Sequence, residues 1–174
     1  MAWSFALLVS LLGQHRLYSQ AVSEYEVKAA YLFNFVKFVE WPSGTFGNDS
    51  EPIRMCILND APFGLQLTET VRNKTIKNRP IAVVPVKTGE ESRACQVLFI
   101  SLPQSRQASH LIAVLQGTST LTVGETRDFL EEGGIINFVL RENQVHFQVN
   151  HKAAMQARLR VSSKLLSLAN QVIE

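Results

Sequence analysis

Apolar residues recur at helical spacing from residue 25 onward. Tyr25, Leu32, Val36 and Val39 fall close to one face, while Phe33 and Phe35 point elsewhere. Ser23-Glu24-Tyr25-Glu26 reads as a capping box, in which the serine caps the helix and the glutamate three residues later reaches back. Glu24 and Glu26 also suit the positive end of the helix dipole. The helix is predicted to run to about Val39, and Trp41-Pro42 stops it, because proline disfavours helix at the preceding residue. Tyr25, Tyr31, Phe33, Phe35 and Phe38 leave this helix apolar on more than one face, as expected of a helix buried on several sides or meeting a partner.

After a polar loop at 43–52 the pattern shortens to strand-length runs separated by helices. Ile53 to Leu58 reads as a buried strand. Asn59 to Gly64 is a strand-to-helix turn with Pro62 in the first turn, and the helix continues to about Arg72. Ile81 to Val86 and Gln96 to Ile100 are the next strands, and Ser105 to Leu115 is a helix closed by Gly117. Leu121 to Val123 reads as a short strand, and Arg127 to Glu132 as a short helix stopped by Gly133-Gly134. The period then changes. Ile135 to Leu140 and Gln144 to Val149 form a hairpin around Glu142-Asn143, with Val145, Phe147 and Val149 alternating inward. Asn150 caps a helix from His151 to about Ala157. Leu159 to Val161 looks extended, and Ser162 or Ser163 caps a final helix predicted through Ile173. Strands joined by helical crossovers imply a single three-layer α/β domain. Its sheet is mostly parallel with helices on both faces, and the C-terminal antiparallel hairpin forms an edge.

Composition agrees with one packed domain: 46% of the 174 residues are hydrophobic and only 18% charged. The net charge is +2 and the basic residues are scattered along the chain, which argues against a nucleic-acid footprint. No apolar run has the length of a membrane-spanning helix. Ala2 to Leu12 is an apolar run of signal-peptide length, although no Lys or Arg precedes it. Ser19-Gln20-Ala21 puts small residues at the −3 and −1 positions of a cleavage site. Residues 1–21 are therefore expected to be a signal peptide and 22–174 the exported domain. Two cysteines, Cys56 and Cys95, lie in the exported part. An even count in an exported chain favours a disulfide; two buried free thiols are the alternative.

Catalytic constellations are sparse. The chain has no phosphate-cradling glycine motif, no GxSxG elbow and no HExxH. His146 and His151 straddle the end of a strand and the start of a helix, which is poor metal-ligand spacing, and the cysteines lack the paired spacing of a zinc site. No metal, no cofactor and no enzymatic activity are expected. A binding cleft is better supported, because ligands of parallel α/β sheets sit beyond the carboxyl ends of the strands. Asp60, Ser101, Gly124 and Glu125 occupy those ends.

An ordered series of segments carries a resemblance. EYEVKAAYLFNFVKFVEWP, IRMCILNDAPFG, ACQVLFIS, LTVGE with DFLEEGGIINFVL, VHFQVNHKAA and VSSKLLSLA, together spanning nearly all of residues 24–169, resemble the YfiR family. The resemblance implies a small bacterial periplasmic protein. The type member represses an inner-membrane diguanylate cyclase by binding its periplasmic sensory domain, and an outer-membrane lipoprotein relieves the repression. Cyclic di-GMP output then governs exopolysaccharide and biofilm formation. The resemblance also implies that Cys56 and Cys95 form a family disulfide, whereas a second cysteine pair of the type member is missing here. A protein that acts by binding needs an exposed apolar surface, and Tyr31, Phe35, Phe38 and Trp41 are the candidates for a partner or homodimer contact. A periplasmic sensor for a small ligand is the alternative reading.

Overall fold

The computed structural model describes residues 24–101 and 108–174. The expected signal peptide, Ser23 of the capping box and the start of the helix predicted from Ser105 lie outside the described residues. Helix α1 covers residues 24–38. It stops one residue short of the prediction because Val39–Glu40 (β1) pairs antiparallel with Arg160–Val161 (β9). The remaining elements are β2 (Ile53–Leu58), α2 (Ala61–Val71), β3 (Thr75–Ile76), β4 (Arg79–Val86), α3 (Gly89–Ser92), β5 (Val97–Ile100), α4 (Ala108–Val114), β6 (Leu121–Gly124), β7 (Ile136–Arg141), β8 (Gln144–Asn150), α5 (His151–Gln156), α6 (Ser163–Leu168) and β10 (Gln171–Ile173).

The large sheet has the order β10-β8-β7-β6-β5-β2-β4-β3. Its central run from β4 through β7 is parallel. The hairpin β7–β8 is antiparallel as predicted, and Glu142 and Asn143 both have positive φ, as a two-residue hairpin turn of type I′ requires. The hairpin is not the edge, however. Residues 171–173, predicted as the end of a helix, add a parallel strand outside β8. Strand pairing across the sheet outweighs the weak helical period of that stretch.

Alternation along the strands splits the core into two layers. Met55, Ile57, Val97, Phe99, Leu121, Val123, Ile136 and Phe138 face α1, α2, α5 and α6. Cys56, Leu58, Leu98 and Ile100 face the opposite way, against Ala108 and Leu111 of α4. Helices therefore cover both faces. In the first layer the aromatic residues form one connected network. Tyr25 meets Phe63 at 5.4 Å, Phe63 meets Phe99 at 4.3 Å, Phe138 stacks on Phe35 at 5.7 Å, and Phe147 meets Phe35 at 5.0 Å. Such pairs add about 0.5–1.5 kcal/mol each beyond their buried area. Phe35, expected to point away from the buried face, is at its centre and 1% exposed.

In the second layer Cys56 and Cys95 form the disulfide, with Cα atoms 5.9 Å apart and both residues buried. The stretch predicted as a helix over 127–132 is instead a turn. Gly134 N–H donates to the Phe129 carbonyl and Gly133 N–H to that of Leu130, with Gly133 at φ +96. This is a Schellman ending on a single turn. Its purpose in the fold is to bury Phe129.

Candidate functional site

Strand β4 lies on one side of β2 and β5 on the other, so the winding of the sheet reverses between β2 and β5. The crevice beyond such a reversal is the usual ligand position in open α/β sheets. Asp60 follows β2, Ser101 follows β5 and Gly124-Glu125 closes β6, so the structure brings the predicted cleft residues to one edge. That edge is not empty. The first turns of α1 lie across it, and Lys28 pairs with both Glu24 and Glu125. The Lys28 and Glu125 side chains are 6% and 5% exposed, so the pair is sealed from solvent. Burial alone would lower the Lys28 pKa. The charge and hydrogen bond of Glu125, with those of Glu24, outweigh it and raise the ammonium above its ordinary range. Tyr25 sits beside this group, and burial together with the Asp60 and Glu125 carboxylates raises its phenol.

Asp60 and Gly124 have local duties, and the buried Ser101 hydroxyl has no hydrogen-bond partner among the described residues. The Asp60 carboxylate accepts from Phe63 N–H at 3.2 Å and caps α2. Ser101 is 1% exposed. Gly124 is required for packing: a Cβ there would lie 2.5 Å from Phe129 Cδ2, and one on Gly134 would lie 2.2 Å from Phe129 Cε1. The ring is held between two glycine backbones, so these glycines make room for a side chain rather than for a ligand.

The predicted aromatic surface divides. Phe35 belongs to the core, and Tyr31 leans into it, 5.6 Å from Phe147 and 6.1 Å from Phe138. Phe38 and Trp41 remain half-buried on the outside, together with Phe33, which the helical period sets off the buried face, and the structure adds Phe46. The helical period sets Phe33 and Phe38 on opposite flanks of the exposed ridge of Ala30, Asn34 and Lys37. Cations lie over these rings. Lys37 and Lys74 are 4.2 and 4.8 Å from the Phe33 centroid, Lys164 is 5.5 Å from Phe38, and Arg79 is 4.1 Å from Phe46. Trp41 meets Phe46 edge-on at 6.5 Å. At the end of α1 a cavity of about 260 Å³ opens between Val36, Val39, Trp41, Phe46, Ile53 and Ile76, with Glu40, Lys77 and Arg79 also lining it. The Trp41 indole N–H is buried and has no hydrogen-bond partner among the described residues.

The chemistry available elsewhere is limited. The disulfide takes up both cysteines, which removes the thiol nucleophile. No cluster of three His, Cys, Asp or Glu able to hold a metal occurs among the described residues, and none of their helices is long and apolar enough to cross a membrane. A family model described as YfiR/HmsC-like matches residues 25–170. No curated protein matches the chain. Among solved structures, the chain is similar to a conserved domain protein from Vibrio cholerae O1 biovar El Tor, with a TM-score of 0.59, 11% identity and 85% of this chain covered. The match spans 60% of that protein's length, so the likeness concerns the fold. A second similarity, to the ABC domain from Streptococcus pneumoniae in complex with L-Trp, has a TM-score of 0.49 and 11% identity over 69% of this chain and 55% of that one. A similarity that distant carries no inference.

Proposed function

The chain belongs to the YfiR/HmsC-like family, and from that premise we propose that it is an exported periplasmic regulator that represses an inner-membrane diguanylate cyclase by binding the cyclase's periplasmic domain. Its effect is on cyclic di-GMP, and through it on exopolysaccharide and biofilm formation. It works by binding and needs no cofactor, and an outer-membrane lipoprotein is the partner that would withdraw it. One observation supports the binding mode above others: Phe33, Phe38, Trp41 and Phe46 stay half-buried on the outside of the fold, around the exposed ridge and the far end of α1. Aromatic rings presented in this way are the residue type that dominates protein contacts. A homodimer would use the same surface.

Intracellular cyclic di-GMP in the source bacterium tests this reading, with the gene deleted and then restored with and without residues 1–21. A rise on deletion, reversed only by the form that carries residues 1–21, is expected. Unchanged cyclic di-GMP across growth conditions would refute it. The second reading, a small-ligand sensor, is supported by a cavity of about 410 Å³ lined by Leu115, Thr120, Thr122, Glu132, Ile135 and Ala153. A small molecule that raises the melting temperature would favour it.

A further inference from the structure

The cations around the outer end of α1 are distant in sequence and adjacent in space. Lys37 and Lys74 share the Phe33 ring, Lys164 covers Phe38, and Arg79 covers Phe46. Lys77 and Arg160 both approach Glu40, at 3.9 and 3.8 Å. Against these six cations stand three carboxylates: Glu40, Asp49, which is 3.6 Å from Arg79, and Glu51, which accepts from Gly47 N–H. Glu69 and Arg72, next along α2, pair with each other. The six cations outnumber the carboxylates that pair with them. Six of the 17 Lys and Arg residues, distant in sequence, meet around the outer end of α1.

That face is not a plain polycation surface. Its rings accept aliphatic groups, and its cavity has walls of Val36, Val39, Ile53 and Ile76. The same cavity is lined by Trp41, whose buried N–H donor is unsatisfied among the described residues, and such a donor is costly to leave unpaired. An apolar side chain would fill those walls. Flanking carboxylates would meet Lys37, Lys77 and Lys164. A bare phosphate backbone has no group for the apolar walls. We propose that this face, with the Trp41 cavity as its anchor, docks an acidic segment of the protein partner: a carboxylate-rich stretch carrying one apolar side chain. The proposal rests on the reading of the protein as a regulator that works by protein binding, and it assigns the partner-facing surface and the chemistry of the partner.

Trp41 reports on the site directly, because the only other tryptophan is Trp3. The full chain with Trp3→Phe would be titrated with the peptide acetyl-Asp-Glu-Leu-Glu-Asp-amide while Trp41 emission is followed. Controls are the same peptide with Gly for Leu and the peptide acetyl-Lys-Lys-Leu-Lys-Lys-amide. The expected result is an emission shift that saturates with the acidic leucine peptide. Its affinity should exceed that of either control by about tenfold or more and weaken as salt is raised. The double variant Lys37→Glu with Lys164→Glu, both exposed positions, should lose about tenfold or more while keeping its melting temperature. The proposal is overturned if the acidic peptide gives no saturable shift, if the charge-reversed protein binds it equally well, or if duplex DNA or phosphatidylglycerol vesicles displace it at lower charge concentration. The regulatory reading fails separately. If deletion leaves cyclic di-GMP unchanged, that reading is lost and the titration still decides the site. If the double variant restores cyclic di-GMP control as well as wild type, the docking face is lost and the regulatory reading stands.

Discussion

Replacing Gly134 by alanine tests whether the two glycines exist to hold one ring. Gly134 is outside the left-handed region of backbone space, so an L-residue meets no backbone penalty there, and stiffening the unfolded chain would by itself stabilise by about 0.4–1 kcal/mol. The obstacle is steric. The new methyl carbon would lie 2.2, 2.3 and 2.7 Å from Phe129 Cε1, Cδ1 and Cζ, where ordinary carbon contacts are about 3.5–4.0 Å. Overpacked cores usually relieve such a clash by a small shift, at about 1–3 kcal/mol. Here the shift is blocked, because Phe129 Cδ2 and Cε2 already face Gly124, at 2.5 and 2.6 Å from where a Cβ would stand. The ring, 1% exposed, must therefore give up much of its site. Losing a buried phenylalanine costs about 3–5 kcal/mol, so a net destabilisation of about 3 kcal/mol is expected. With a urea slope of about 2 kcal/mol/M, the unfolding midpoint falls by about 1.5 M. In a Phe129→Ala background the same glycine substitution should be neutral or slightly stabilising, a coupling that a double-mutant cycle measures. Equal costs in the two backgrounds, or no cost in the wild type, would refute the sandwich.

Substituting both Cys56 and Cys95 by alanine should lower stability by about 4 kcal/mol, the chain-entropy value for a separation of 39 residues, read as a shifted urea midpoint. Lys28→Met removes the cation that bridges Glu24 and Glu125 and should lower stability, by at most about 3–5 kcal/mol; the double variant Lys28→Met with Glu125→Leu should recover part of it. Lys28 and Tyr25 both hold their protons more tightly in the folded state, so the folded form binds more protons than the unfolded one. Their contribution is complete below about pH 10 and declines as pH rises through and beyond 10.0 for Tyr25 and 10.5 for Lys28. Melting temperatures measured between about pH 8 and 11 should fall along that limb in the wild type and less steeply in Tyr25→Phe with Lys28→Met.

Local signals were legible in the sequence and long-range ones were not. Asn150 caps α5 as its position predicts, and of the two serines offered Ser162 caps α6, because a side-chain cap depends only on neighbouring residues. The Glu142-Asn143 turn was found for the same reason. The hairpin at Lys77-Asn78, also with positive φ at both residues, was missed, since its first strand has only two residues and the pair lacks a glycine. Helix α3 was missed although Thr88 caps it by accepting from Glu91 N–H, a visible Thr-x-x-Glu spacing. Strand β10 was misread because its pairing with β8 joins segments separated by two helices. At the carboxyl edge, fold logic found Asp60, Ser101, Gly124 and Glu125. It overlooked Lys28, whose spacing of four from Glu24 marks an ion pair but whose partner Glu125 lies 97 residues away. The surface was read in part. The tilt of α1 against the sheet decides which rings are covered, and no helical period encodes it.

The rim of the sheet at β4 sets how this protein behaves when crowded. β3 covers only Arg79 and Pro80, which leaves 81–86 as an open margin, and an open margin can template the strands of other molecules. The Val86 carbonyl accepts from Asn59 N–H on the β2 side, so alternation turns residues 81, 83 and 85 outward. Pro85 has no N–H to offer, which leaves Ile81 and Val83 as the outward donors of that margin. Pro85 thus blunts the margin, as prolines on edge strands do. Pro85→Val would supply the missing donor, and a rise in thioflavin-T-positive fibres for that variant at high concentration is the expected consequence.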